Sequence, residues 1–132
     1  MLKSTHLRDY MIINPLKVKV NINLHEAMKT IIDNKVSGVC VVDDSGALVG
    51  VLSEMDCLSA IVKATYNEMG VGLVSEYMTK EVIVAHPNDD IINIAQDMLL
   101  KKHRRRPVVK EGTLVGLISC RQLLCAVDKF NT

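Results

Sequence analysis

Val49-Gly50-Val51-Leu52-Ser53-Glu54-Met55-Asp56 decides the fold, because its first five residues return 66 positions later as Val115-Gly116-Leu117-Ile118-Ser119. An earlier stretch, Leu7-Arg8-Asp9-Tyr10-Met11, returns after 67 positions as Val74-Ser75-Glu76-Tyr77-Met78. Between these anchors Asn21 matches Asn88, Lys35 matches Lys102, and Val41-Val42 matches Val108-Val109. The offset changes by one where Asp43-Asp44-Ser45-Gly46 faces the shorter Lys110-Glu111-Gly112. A tight turn absorbs such a change without disturbing its flanking strands. Duplication over nearly the whole chain sets the architecture before any single residue is weighed.

Each copy reads β-α-β-β-α. In the first, over 1–66, a short helix is expected at 4–11 and an extended stretch at 17–20. A helix over 24–35 follows, with Leu24, Ala27, Met28, Ile31 and Ile32 on one face. Asn23 is its expected N-cap, with Glu26 completing a capping box. Strands at 38–42 and 48–52 flank a hairpin turn, and Ser53 caps a helix with Asp56 at its third position. The second copy, over 67–132, repeats the order, from a short helix ending at Tyr77-Met78 and a joint at 67–72. Its strands are expected at 82–85, 107–109 and 114–118. Its long helix starts at Asp89 or Asp90 with Ile91, Ile94, Ala95, Met98 and Leu99 inward, and its last helix starts at Ser119. The fold class is α/β (α+β): two small three-stranded sheets, each with helices on one face and the other face closed by the partner repeat.

At 132 residues, 48% of them apolar, with no Trp and one Phe, the core must be aliphatic. A copy of about 60 residues is near the lower limit for a self-sufficient core, so the copies are expected to fold together. A net charge of +1 argues against a general nucleic-acid or membrane-surface binder. No run of 18 apolar residues spans a membrane, and residues 1–6 lack a signal-peptide core, so a cytoplasmic chain is expected. Cys40, Cys57, Cys120 and Cys125 form no CxxC pair, and four scattered histidines give no ligand spacing. Reduced thiols and no metal are expected. With no P-loop, dinucleotide fingerprint or catalytic triad order, the chain is not expected to be an enzyme.

Gly50-Val51-Leu52-Ser53-Glu54-Met55-Asp56, its copy Gly116-Leu117-Ile118-Ser119-Cys120-Arg121-Gln122, and His103-Arg104-Arg105-Arg106-Pro107-Val108-Val109 resemble the cystathionine-β-synthase (CBS) domain family. That family carries a Gly-hydrophobic-hydrophobic-Thr/Ser-x-x-Asp segment entering its last helix and a Pro-Val-hydrophobic strand. The resemblance covers residues 7–127. It implies two repeats packed about a pseudo-two-fold axis with two clefts, binding of adenine nucleotides or S-adenosylmethionine, and pairing of modules into a homodimer.

A nucleotide site needs an apolar slot for adenine, a carboxylate for the ribose hydroxyls, and hydroxyl and basic groups for phosphate. Asp56 offers two acceptor oxygens to the ribose. Ser53 sits at a helix N-terminus, where free N–H groups favour an anion. Resemblance to the nucleotide-binding subunit of AMP-activated protein kinase implies that Arg104, Arg105 and Arg121 of the second repeat join Ser53 and Asp56 on one ligand. It also places Val51, Val82 and Ile83 in the adenine slot, with Met55 as a further lining residue. In the second cleft Gln122 replaces the Asp, and Ser37 and Gly38 replace the basic pair, so one competent site is expected. Each of these groups has a plainer role: Asp56 and Ser53 as helix caps, Lys101, Lys102 and His103 as cations at a helix end, and the arginines as a solvated patch paired with carboxylates.

The expected function is therefore a regulatory ligand-sensing module. It would bind AMP, ADP or ATP, in preference to S-adenosylmethionine, require no cofactor, and act in trans on a protein partner that the sequence does not name. Leu58, Ile61, Leu124 and Val127 are the expected dimer faces. The alternative is a dimerisation or docking scaffold with no small-molecule ligand. Neither membrane nor nucleic acid is an expected partner.

Overall fold

The computed structural model describes residues 4–67 and 70–131, and the chain divides into two compact units. One is Leu16–Val82; the other joins the segment up to Pro15 with Ile83 onward.

In Leu16–Val82, β2 (Lys17–Lys19) runs parallel to β3 (Gly38–Val42), which pairs antiparallel with β4 (Leu48–Ser53). Val18, Val39, Val41 and Leu52 point into a core shared with Leu24, Ala27 and Ile31 of α1 (Leu24–Asp33) and with Cys57 and Ala60 of α2 (Glu54–Asn67). Asn23 caps α1, its side-chain oxygen accepting from the His25 N–H at 2.7 Å. Lys35 just past the helix is left-handed, with φ 54°, as is its repeat partner Lys102, with φ 59°. The matched lysines thus mark matched helix ends. α3 (Val74–Tyr77) opens the second sequence copy but packs in this unit. Val74 is fully buried in the same core, and the Thr79 and Val51 backbones exchange two hydrogen bonds, of 2.8 and 3.0 Å.

The other unit mirrors this exchange. Its sheet order is β1 (Ile12–Ile13), β6 (Thr113–Ser119), β5 (Arg105–Lys110). β5 and β6 meet in a two-residue turn, Glu111-Gly112, with φ of 51° and 82°. Positive φ at both positions is the type I′ pattern that matches strand twist. Leu7, in a single 3-10 turn (Leu7–Asp9), is fully buried with Ile91 and Met98 of α4 (Ile91–Lys101) and with Val108 and Ile118. Asp90 caps α4 by accepting from Ile92 and Asn93. The last helix is α5 (Cys120–Asn131).

The segment that opens each sequence copy therefore packs against the hairpin of the other copy. Two glycines make room for it. A Cβ on Gly116 would lie 2.6 Å from Met11 Sδ and 2.9 Å from the Ile12 carbonyl oxygen. A Cβ on Gly50 would lie 2.8 Å from both Met78 Sδ and the Thr79 carbonyl oxygen. The two best-matched pieces of the repeat, Tyr-Met and the hairpin glycine, are two sides of one contact made twice.

Three expectations are corrected. No strand forms over 82–85: Ala85 alone bridges to Val108, donating to the Pro107 carbonyl at 2.8 Å and accepting from the Val109 N–H at 2.9 Å. One step back along that ladder, the residue that must donate to the Ile83 carbonyl is Pro107, which has no N–H. The third strand of this sheet is β1 instead. The helix expected at 4–11 is only the one 3-10 turn. Ile32 and Leu99, equivalent positions expected inward, are exposed, at 68% and 79%. Each lies one residue, or 100° of helix, beyond a buried neighbour, Ile31 or Met98.

Candidate functional site

β4 leads into α2 through a reciprocal cap. The Ser53 N–H donates to Asp56 Oδ2 at 2.9 Å, and the Asp56 N–H donates to Ser53 Oγ at 3.1 Å. This is a capping box with Asp in the acidic position, a motif that contributes about 1 kcal/mol. The Glu54 N–H donates to the Ser37 carbonyl at 2.9 Å, tying the corner to the start of β3. The helix-cap role of both residues is thus real, and it does not use up their hydrogen-bonding groups. The half-buried Asp56 keeps Oδ1 and a lone pair of Oδ2, and the Ser53 hydroxyl, accepting from the backbone, keeps its proton to donate. Val51 and Ser53 share one face of β4, opposite Leu52 in the core. Met55 in the first helical turn is 74% exposed. Val82 is half-buried and Ile83 exposed, in backbone with no assigned strand.

The corresponding corner of the other unit holds cations. Arg105 pairs with Ser119 across β5 and β6, and the Cys120 N–H donates to the Arg104 carbonyl at 2.9 Å. Ser119 Oγ accepts from the Gln122 N–H at 3.2 Å, with Gln122 where the first repeat has Asp56. Arg104, Arg105 and Arg121 are exposed at this one end of the hairpin, and among the described residues none forms a salt bridge. So the structure gathers Ser53, Asp56 and Val51 at one strand-to-helix corner and the three arginines at the equivalent corner of the other unit.

The third arginine of the run does something else. Arg106 is 2% exposed and pairs with Asp97 of α4 at 2.9 Å, while Lys101 meets the same carboxylate at 3.0 Å. Arg106 also lies 3.1 Å from His103 Nδ1, and its Nε has no partner among the described residues. Strand alternation separates neighbours of the basic run: Arg105 faces outward, Arg106 inward. Against the expectation of a solvated arginine patch paired with carboxylates, Arg106 is buried on the Asp97 carboxylate, and the i,i+4 pair Asp97–Lys101 was the visible hint of an acidic site beside it.

Lys101, then Arg106, hold the Asp97 carboxyl below its ordinary value of 3.8. A depressed folded-state pKa contributes stability that is present above the unfolded value and lost as pH falls through the folded one. Asp97→Asn, which leaves a buried guanidinium without its charge partner, should lower the melting temperature by several degrees at pH 7. Asp44→Asn, which removes the exposed Lys19–Asp44 pair of 3.9 Å, should not. The gap between wild type and Asp97→Asn should narrow as pH drops below about 4. Melting curves at pH 7 and pH 3 check both statements; equal effects of the two variants would contradict the first.

Cys57, beside Asp56, is buried. Burial, then the Asp56 and Glu54 charges, push its thiol pKa up. Cys40 is also buried, while Cys120 and Cys125 are exposed. Among the described residues no group of His, Cys, Asp and Glu is arranged to hold a metal, and no helix is long and apolar enough to cross a membrane.

The duplicated hairpin-and-helix units carry the two motif copies of a tandem repeat, and the chain belongs to the CBS domain family, whose pattern matches residues 7–63 and 74–129. The uncharacterized protein MJ1225 of Methanocaldococcus jannaschii is 34% identical over 114 residues, 86% of this chain and 39% of that one. Inosine-5′-monophosphate dehydrogenase of Aquifex aeolicus is 36% identical over 116 residues, 86% of this chain and 23% of the enzyme. The chain thus spans well under half the length of these two relatives. Among solved structures, CBSX2 of Arabidopsis thaliana, in complex with AMP, superposes with a TM-score of 0.87 at 25% identity, over 98% of this chain and 100% of that one. The CBS domain pair of protein MJ0100, in complex with 5′-methylthioadenosine and S-adenosyl-L-methionine, gives 0.74 at 26% identity, over 93% and 99%.

Proposed function

We propose that the chain is a regulatory ligand-sensing CBS pair that binds one adenine nucleotide of the AMP, ADP or ATP type and signals its occupancy in trans to a protein partner. Each unit supplies one supporting observation: a pre-positioned carboxylate with a hydroxyl proton to donate in Leu16–Val82, and in the other three exposed arginines that form no salt bridge among the described residues. A nucleotide offers the complementary set. Its ribose hydroxyls donate to Asp56, and its phosphate accepts from Arg104, Arg105, Arg121 and the Ser53 hydroxyl. Val51, Val82, Ile83 and Met55 supply the apolar surface for adenine. S-adenosylmethionine ranks behind, because it offers three guanidiniums one carboxylate beside a cationic sulfonium and ammonium, where a nucleotide offers a phosphate dianion. CBSX2 with AMP and the MJ0100 pair with adenosyl ligands support the class of ligand. No second nucleotide is expected, because Gln122 stands where the first repeat has Asp56, and Ser37 and Gly38 stand where the second has Arg104 and Arg105. No chemical step is assigned to the site.

Occupancy would be read out through a homodimer formed by α2 and α5. Leu58, Ile61 and Leu124 are exposed there, whereas the Val127 side chain lies outside the described residues. A scaffold without a ligand is the second reading, favoured by exposed Ile92, Leu99 and Leu100 along α4. A thermal-shift screen against AMP, ADP, ATP, NADH and S-adenosylmethionine separates the two. A nucleotide at one hundred times its Kd should stabilise the fold by about 2.7 kcal/mol, a shift of several degrees. No shift with any of the five would leave the scaffold.

A further inference from the structure

The opposite end of the unit that carries the arginines holds a second feature, distant from Arg105. Lys110 lies five residue steps along β5 from Arg105, which at ~3.3 Å per step is about 17 Å. Around the Lys110 end lies a cavity of about 420 Å³, floored by Met11, Val109 and Val115 and rimmed by Arg8, His86 and Lys110. Its walls are fixed. The Arg8 N–H donates to the Pro87 carbonyl and the Leu7 N–H to the Asp89 carbonyl, both at 2.9 Å. The turn that carries His86 is closed by the His86 N–H donating to Asp89 Oδ2 at 2.8 Å. Arg8 Nη1 donates to the Asn88 side-chain oxygen, which orients the guanidinium and leaves its other N–H groups available.

The duplication supplies an internal control. The residues equivalent to Arg8, His86, Lys110 and Glu111 are Ser75, Lys19, Asp43 and Asp44. The formal charge of these four residues is therefore +1, with His neutral, and that of their four equivalents is −1. The counterpart also satisfies its own charges. Asp43 Oδ1 accepts from the Ser45 N–H at 2.9 Å, the Ser45 hydroxyl at 2.6 Å and the Ala47 N–H at 3.1 Å, and Asp44 pairs with Lys19. Among the described residues Arg8 and Lys110 have no carboxylate within salt-bridge distance, although Glu111 is on the rim.

We propose that this cavity is a separate binding site for a small phosphate monoester with an apolar body. The planar Arg8 fork and the Lys110 ammonium suit a dianion. The apolar floor and a volume on the scale of small-molecule sites suit a compact hydrocarbon group beside it.

Phenyl phosphate is the probe, titrated into the full chain and followed by amide chemical shifts. Saturable shifts at Arg8, His86 and Lys110 are expected, weakened about tenfold by Lys110→Glu, which reverses one charge, and by Arg8→Gln. Arg105→Ala should leave this affinity unchanged. Shifts centred on Arg104 and Arg105, insensitivity to both rim variants, or equal binding of phenol would each overturn the assignment.

Discussion

Replacing Gly116 by valine is expected to destabilise the protein by roughly 2–3 kcal/mol, the upper part of the range for overpacking a filled site. The first methyl-sized obstacle is Met11, whose thioether can swing aside. The second is the Ile12 carbonyl oxygen, 2.9 Å from the new Cβ, which moves only if β1 leaves β6. Met11→Ala added to Gly116→Val should therefore rescue only part of the loss. At this chain length about 3–5 °C of melting temperature accompanies each kcal/mol, so a drop of about 10 °C is expected. Its location is the sharper result. Hydrogen exchange should speed up in β5, β6 and around Leu7, while β3 and β4 keep their protection. Faster exchange in β3 and β4 alone would show that residues 7–13 pack against the first hairpin instead.

Removing the Asp56 carboxylate is expected to have the largest effect on binding. A charge-assisted hydrogen bond contributes about 1.5–3 kcal/mol, so losing the ribose contacts in Asp56→Ala should weaken AMP by about 30- to 100-fold. That variant also loses half of the capping box, at a cost of about 1 kcal/mol in stability. Asp56→Asn separates the two roles. Its amide oxygen still accepts from the Ser53 N–H, so the melting temperature should stay near that of the wild type, while the lost charge weakens AMP by about tenfold. A fall in affinity that merely tracked stability would make Asp56 a helix cap and nothing more.

Much of this was legible because duplication doubles every signal. The hairpins, the four long helices, the turn that absorbs the length change and the Ser53 and Asp90 caps follow from local residues alone. The exchange of opening segments does not. Met11 fits beside Gly50 or Gly116 equally well as sequence, since both glycines carry the same flanking pattern, and only the fold distinguishes them. The missing strand at 82–85 had its cause on another strand, at Pro107, where no window around Ile83 includes it. Within the basic run, strand alternation divides the arginines into the exposed Arg105 and the buried Arg106. The partner of Arg106, Asp97, lies nine residues earlier on a helix, a spacing with no local signature.

Under the proposed function, AMP binding depends on Asp56 and on Arg105 alike. Calorimetric titration of AMP into the wild type, Asp56→Asn, Arg105→Ala and the double variant tests it most directly. One site per chain is expected, weakened about tenfold in each single variant, with all three variants folded. Binding that survives unchanged in either single variant, or no binding in the wild type, would contradict it.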